Sequence, residues 1–285
     1  MIAKAAASDA DLVFLDLEDA VAPSEKEAAR KPIIDGLNNH DWGRKTRAVR
    51  INGTHTKWCH EELVDIVGAA GANLDVVIIP KVKAPHDVKF VDTLLSQLEM
   101  KHDLPLGRIG IEVLIEETEA LARVEEIAVS SPRLEALILG VGDLSASQGM
   151  RLGHIGSRES AYPGDIWHYA RTRLIVAARA NGIDAIDGPF ANFRDPDGYR
   201  RECTWATTLG AVGKWAIHPS QVEIANTVFA PTEEEIERAK ALVERVRAAE
   251  AAGAGAASDD GVMIDAATAR IFEATLERAR LMGKA

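Results

Sequence analysis

A parallel α/β fold of the (β/α)8 TIM-barrel class is predicted for this 285-residue chain. Three observations carry the prediction. Short apolar runs alternate with helical segments along most of the length, at a spacing of roughly 30 residues, which is the period of βαβ units. Seven such runs are present. None is followed by a Gly-rich phosphate-binding turn, which weakens the alternative of an open doubly wound sheet. A closed barrel needs eight strands, and this chain opens with an Ala-rich, helix-like stretch over residues 2–8. The first barrel strand is therefore expected to be missing from this chain.

The elements follow in order. Leu12-Val13-Phe14-Leu15 is a buried strand running into Asp16-Leu17-Glu18-Asp19, and Pro23-Ser24-Glu25 starts a helix over about 24–38. Strand 46–51 is closed by Asn52-Gly53, and helix 57–70 follows. Strand 75–81 leads to helix 85–99, strand 108–116 to helix 117–130, and strand 134–140 to a loop over 142–165 rich in Gly, His, Ser and charge. Helix 166–181, strand 183–187, helix 195–209 and strand 214–218 complete the alternation, closed by Pro219. Helices 219–228 and 232–252 precede Ala251-Ala252-Gly253-Ala254-Gly255-Ala256-Ala257-Ser258, a flexible joint by composition. An amphipathic helix over 266–282 ends the chain. The expected organisation is a catalytic barrel over 1–230, a helix and linker over 231–258, and a C-terminal helical lid over 259–285. A lid or subunit-contact element and a helix docked on its own barrel are equally compatible with that pattern.

Composition narrows the function. A net charge of −11 argues against nucleic acid as the main partner. No apolar run approaches the roughly 20 residues of a membrane span, and the start lacks a secretory pattern. Cys59 and Cys203 have no metal-type spacing. Together these point to a cytoplasmic protein.

Reactive side chains recur at the ends of the predicted strands: Asp16, Glu18 and Asp19, then Arg50, Lys81, Glu116, Asp143, Asp187 and His218. In a barrel all of these converge on one mouth, where chemistry is placed. One charged strand end is unremarkable, but seven are hard to explain as packing, which argues for an enzyme. Glu116 and Asp143 end consecutive strands and suit Mg²⁺, which takes few protein ligands and keeps several waters. Glu117 competes with Glu116, and either carboxylate can instead cap a helix. Arg50 suits a substrate carboxylate or carbonyl, and Lys81 an enolate oxygen. A structural ion pair with the carboxylates at 16–19 is the other role open to both. His218 precedes Pro219, so a helix-start role is at least as apt as catalysis. His154 and His168 fit no ligand spacing, and Ser145 and Ser147 lie in no nucleophile elbow.

Leu15-Asp16-Leu17-Glu18-Asp19-Ala20-Val21, Val49-Arg50-Ile51-Asn52, Ile79-Pro80-Lys81, Ile115-Glu116, Gly142-Asp143-Leu144 and Ile217-His218-Pro219-Ser220-Gln221 together resemble the citrate lyase β-subunit-like superfamily. Tyr162-Pro163-Gly164-Asp165-Ile166-Trp167-His168, Ile186-Asp187-Gly188-Pro189-Phe190 and Met263-Ile264-Asp265 are most similar to the L-malyl-CoA/β-methylmalyl-CoA lyases within it. The resemblance runs through almost the whole chain, in order.

That resemblance implies a (β/α)8 barrel and an Mg²⁺-dependent lyase, with Mn²⁺ as the other metal. The reaction implied is reversible cleavage of a CoA thioester, malyl-CoA, to glyoxylate and acetyl-CoA, or of β-methylmalyl-CoA to glyoxylate and propionyl-CoA. A malyl-CoA thioesterase and a citramalyl-CoA or citrate-lyase-type enzyme are the alternatives on the same scaffold. By position, Glu116 and Asp143 match the metal ligands, and Leu144 lies in the same substrate-binding motif. Arg50 matches the arginine holding glyoxylate or thioester oxygens, while Glu18 and Asp19 match carboxylates around the metal's waters. Lys81 joins this catalytic group. Lys4 matches a basic contact to CoA. Asp265 matches an acid/base group that a C-terminal lid brings from a neighbouring subunit, which implies a homotrimer or homohexamer. The family's usual first strand, with an Arg-Ser…Val-Pro-Gly-like segment, is expected before residues 1–4 and is missing here.

Overall fold

A computed structural model describes residues 1–153 and 162–284. The chain forms two compact units, Met1–Ala225 and Asn226–Ala285. His154 lies outside the described residues.

The first unit is built on seven parallel strands paired strictly in sequence order, β1 to β7. They are β1 (Leu12–Asp16), β2 (Thr46–Arg50), β3 (Val76–Ile79), β4 (Gly110–Ile115), β5 (Leu134–Leu139), β6 (Asp184–Asp187) and β7 (Gly213–Lys214). The intervening helices are α2 (Lys26–Asn39), α3 (Cys59–Ala70), α4 (Pro85–Lys101), the pair α5 (Thr118–Ala122) and α6 (Val124–Ala128), α7 (Val141–Ser147), α8 (His168–Ala180) and α9 (Pro196–Leu209). They follow a short α1 (Ile2–Ala6) and precede α10 (Pro219–Phe229). Near-continuous apolar strands such as Val76–Ile79, buried at every position, are what a parallel sheet covered on both faces requires.

The sheet is curled. Phe14, Ala48, Val76, Ile78, Leu114, Ile138, Ile186 and Trp215, drawn from every strand or its immediate end, form one cluster on its concave side. Phe14 on β1 stacks on Trp215, just past β7, with ring centroids 4.4 Å apart. Side chains from the two outer strands thus meet across the concave face. Among the described residues β1 and β7 are not hydrogen-bonded to each other, so the sheet is a seven-stranded parallel arc and not a closed eight-stranded ring.

Three local expectations are corrected. The loop expected over 142–165 contains α7, whose Leu144 N–H donates to Gly140 O at 3.0 Å. The helix expected over 117–130 is broken at Arg123 into α5 and α6. The strand expected through His218 stops at Lys214. Trp215 N–H still donates to Asp187 O (3.0 Å), but the Ile217 and His218 N–H groups donate to Gln221 Oε1 (2.8 and 3.2 Å). That side chain diverts two amides from the sheet ladder and turns the chain into α10.

The second unit pairs α11 (Glu233–Ala251) with α12 (Ala266–Leu281) around a hairpin of β8 (Ala256–Asp259) and β9 (Val262–Asp265). α11 opens on a capping box in which Thr232 and Glu235 satisfy each other's N–H groups. Ile236, Ala239 and Val243 pack on Leu276 and Ala279, and Leu242 and Val246 on Ile264 and Ala269. Residues 256–258, expected within the flexible joint, are therefore in a paired strand. No helix among the described residues is long and apolar enough to cross a membrane.

Candidate active site

Parallel strands all present their carbonyl ends to one edge, so side chains at those ends are brought together by topology. Asp16 ends β1 and Arg50 ends β2, in direct register. Arg50 donates from Nε to Asp16 Oδ1 at 2.8 Å and from an Nη to Asp16 Oδ2 at 2.6 Å, a two-pronged pair. Its other Nη lies 3.0 Å from Glu18 Oε2 and 3.8 Å from Asp19 Oδ2. The approach to Glu18 is off-line for a hydrogen bond, and Glu18 Oε2 is buried without a hydrogen-bond partner. Burial works against ionisation of Asp16, but Arg50 outweighs it and holds this carboxyl below its usual range.

The turn carrying Glu18 is held from behind. Asp16 accepts the N–H groups of Glu18 (2.9 Å) and Ala20 (3.2 Å). The Lys26 ammonium, buried at the start of α2, donates to the carbonyls of Leu17 (3.0 Å) and Glu18 (2.9 Å). Asn52 Nδ2 also donates to Leu17 O at 2.9 Å and is fixed in turn by the fully buried Glu62.

Lys81 follows β3 with φ 53°, a left-handed conformation that is costly for a side chain other than glycine and is typical of functional sites. Its N–H donates to Glu116 Oε1 at 2.8 Å. Its ammonium contacts Asp143 Oδ1 and lies 3.7 Å from Glu18 Oε1 and 3.8 Å from Glu116 Oε1. Burial opposes charging Lys81, but Glu116, Asp143 and Glu18 outweigh it and raise its pKa. Burial pushes the carboxyls of Glu116 and Glu18 up to about 7. Glu116 fits only because residue 140 is glycine, whose added Cβ would lie 2.4 Å from Glu116 Cβ.

Three carboxylates from β1, β4 and β5 connections thus aim oxygens at one point, held here by the Lys81 ammonium. A hard, all-oxygen donor set converging on a cation fits Mg²⁺ or Mn²⁺. Among the described residues no three His, Cys, Asp or Glu side chains form a metal cage by themselves. Glu116 and Asp143 would therefore supply few ligands, leaving the remainder to water and substrate oxygens.

The other sequence candidates fall differently. Glu117 occupies the N-cap position of α5 without a side-chain cap bond, its carboxylate accepting instead from Ser147 Oγ at 2.9 Å, and Glu116 is the carboxylate that faces Lys81. Leu144 is buried in α7, one residue past Asp143, and Lys4 lies on the exposed side of α1. Asp187 is not part of this cluster. It is fully buried among Arg171 (2.9 Å), Lys214 (2.6 Å) and, through Lys214, Glu202 (3.1 Å). It points to the helical side of the sheet because Ile186 takes the concave side. His218 is exposed beside Phe193, and its Nδ1 lies 2.8 Å from Ser220 Oγ and 3.2 Å from the Ser220 N–H, a helix-start role. Asp265, in the second unit, caps α12 by accepting the Thr268 (3.1 Å) and Ala267 (2.9 Å) N–H groups, which hold its carboxyl below the usual range. A cavity of about 540 Å³ lined by Trp42, Arg44, Lys45 and Asp75 opens beside the N-terminal ends of β2 and β3, the opposite end of these strands from Arg50.

Sequence reasoning missed Lys26, Asn52, Gly140 and Trp215. In the sequence Lys26 shows only as part of a helix start, Asn52 as the close of a strand, and Gly140 and Trp215 as residues within strands.

Comparison with known proteins gives concordant results. The family model for HpcH/HpaI aldolase/citrate lyase matches residues 1–219. The L-malyl-CoA/β-methylmalyl-CoA lyase of Cereibacter sphaeroides is 42% identical over an alignment spanning 98% of this chain and 90% of that protein. The (3S)-malyl-CoA thioesterase of the same species is 36% identical, over 92% of this chain and 84% of that one. Among solved structures, CitE of Mycobacterium tuberculosis in complex with magnesium, acetoacetate and coenzyme A superposes with a TM-score of 0.77. It is 29% identical, with 98% of this chain and 92% of that chain covered.

Proposed function

The chain belongs to the HpcH/HpaI aldolase/citrate lyase family, and on that footing we propose that it is an Mg²⁺-dependent carbon–carbon lyase of CoA thioesters. It cleaves L-malyl-CoA to glyoxylate and acetyl-CoA, and β-methylmalyl-CoA to glyoxylate and propionyl-CoA. The observation that carries this reading is the 42% identity to an L-malyl-CoA/β-methylmalyl-CoA lyase along 98% of the chain. The convergence of Glu116, Asp143 and Glu18 beside Arg50 supports it chemically.

Glu116 and Asp143 would hold the metal in this reading, with Glu18 and Asp19 beside them to accept from its waters, and when bound the ion would polarise the oxo-acid carbonyl. Arg50 keeps N–H donors beyond those spent on Asp16 and directs them to the glyoxylate or thioester oxygens of the substrate. In cleavage a base takes the proton from the malyl hydroxyl, that oxygen becomes the aldehyde of glyoxylate, and the C–C electron pair passes to the thioester as an enolate. Arg50 and Lys81 offset the enolate charge. Asp265 shuttles the proton at the carbon that becomes the acetyl methyl group, taking it up as a base in condensation and returning it in cleavage. Lys4 contacts the CoA moiety and Leu144 borders the oxo-acid. The reading includes a (β/α)8-type barrel scaffold, a lid carrying Asp265 supplied by a neighbouring subunit of a homotrimer or homohexamer, and a cytoplasmic setting. The meeting of Phe14 with Trp215 across the concave face supports the barrel.

A thioesterase is the second reading, favoured by the 36% identity to a (3S)-malyl-CoA thioesterase. Product analysis with and without Mg²⁺ separates the two. Glyoxylate plus acetyl-CoA is the expected outcome, and free malate with CoA but no glyoxylate would establish the thioesterase instead.

A further inference from the structure

We propose that Trp215 is a positioning residue for Arg50, and that through Arg50 it sets how tightly the site holds the oxo-acid half of the substrate; the inference rests on the lyase reading. The carboxylates fix the edge of the Arg50 guanidinium, with Asp16 taking Nε (2.8 Å) and one Nη (2.6 Å). The two-pronged pair ties the guanidinium plane to that of the Asp16 carboxylate, and a second constraint acts on its face from the concave side of the sheet. Arg50 Cζ lies 5.7 Å from the centroid of the Phe14 ring and 5.7 Å from that of Trp215. The two rings stack on each other at 4.4 Å with 26° between their planes, so they act as one aromatic bracket.

The bracket is anchored through main chain on both sides. Phe14 lies within β1, in register with Ala48 of β2. Trp215 donates its N–H to Asp187 O (3.0 Å) and accepts the Tyr199 hydroxyl at its carbonyl (3.3 Å). Lys214, one residue earlier, points the other way into the buried pair with Asp187, which fixes the face that Trp215 takes. A guanidinium is weakly hydrated and is drawn to an aromatic face. With edge and tilt both fixed, the remaining N–H donors of Arg50 present a planar fork. Such a fork binds a carboxylate well only in its own plane. Of the two reaction partners, the oxo-acid carries that carboxylate, whereas the reacting end of acetyl-CoA is a neutral thioester. Loosening the bracket is therefore expected to weaken glyoxylate selectively.

The test compares Trp215→Phe, which keeps an aromatic face, with Trp215→Met and Trp215→Leu, two ring-free apolar replacements of which either suffices if the other fails to fold. KM for glyoxylate, KM for acetyl-CoA and kcat are measured in the condensation direction at saturating Mg²⁺. The ring-free variants are expected to raise the glyoxylate KM by roughly tenfold and to leave the acetyl-CoA KM within about twofold. Trp215→Phe is expected to stay within about threefold of wild type for both substrates. Arg50→Lys is expected to cost much less on a ring-free background than on the wild type, because one acts through the other. A glyoxylate KM unchanged in the ring-free variants, raised equally in Trp215→Phe, or raised in step with that for acetyl-CoA overturns the inference. A wild-type protein that neither cleaves malyl-CoA nor condenses glyoxylate overturns the lyase reading and this inference with it, an outcome visible before any variant is compared.

Discussion

Glu112 and Glu116 lie on the same side of β4, yet one has partners and the other does not. Burial pushes both carboxyls up to about 7. Glu116 is met by the Lys81 N–H and ammonium, whereas Glu112 Oε2 is buried with no hydrogen-bond partner, and the charges of Glu135 and Asp184 raise it further. Folding thus favours protonated Glu112. Its contribution is fully present below the unfolded value of 4.5 and is lost as pH rises through about 7. Glu112→Gln is therefore expected to stabilise the protein at about pH 8 by up to ~3 kcal/mol and to change little near pH 5, checked by urea unfolding at both values. At Arg50, a lysine cannot reproduce the two-pronged contact with Asp16, so Arg50→Lys is expected to lower kcat/KM by about 100-fold in steady-state assays. Gly140→Ala forces a methyl group to within 2.4 Å of Glu116 Cβ and is expected to displace that carboxylate and raise the Mg²⁺ concentration needed for half-maximal activity.

At the scale of elements, the Leu17–Glu18 turn depends on α2 as much as on β1. Lys26 satisfies two buried carbonyls there. Replacing it by an apolar side chain removes one donor from each, leaving Leu17 O to Asn52 Nδ2 and Glu18 O to the Val21 N–H, so Lys26→Met is expected to cost about 1–2 kcal/mol in chemical denaturation and to lower activity more than that loss of stability accounts for. Much of this architecture was legible in the sequence. Val76–Ile79 and Gly110–Ile115 are apolar enough to be strands from composition alone, and the acidic turn after Phe14-Leu15 marks the end of β1. The site pairs Glu116 with Lys81 because both follow adjacent strands in register, which sequence order predicts. What was not legible depends on side chains far apart in the chain. Asp187 looks like any other acidic strand end until Lys214, 27 residues later, is found beside it. β7 ends early because Gln221 captures two amides, and no local propensity signals that. β8 has the composition of a linker, since alanine and aspartate are poor strand formers, and it is a strand only because β9 pairs with it.

At the scale of the molecule, the 1–225 unit holds every residue of the metal cluster, while Asp265 belongs to the 226–285 unit. Asparagine caps a helix about as well as aspartate, so Asp265→Asn is expected to shift Tm by no more than about 2 °C while removing most turnover. An unchanged kcat would take Asp265 out of the mechanism. Mg²⁺ in excess is expected to raise the Tm of the wild-type protein, by mass action on the folded state, and to leave that of the Glu116→Gln/Asp143→Asn double variant unmoved in the same thermal scans. The strand order has a consequence for how the molecule is made. Each strand from β1 to β6 is hydrogen-bonded to the next one in the chain, with one helical crossover between them. A nascent polypeptide leaving the ribosome can therefore add one βα unit at a time to the sheet already present, never waiting for a distant segment to complete a pairing. Assembly can proceed vectorially, and the charged cluster is completed in the same order: Asp16 and Arg50 first, then Lys81, then Glu116, with Asp143 last.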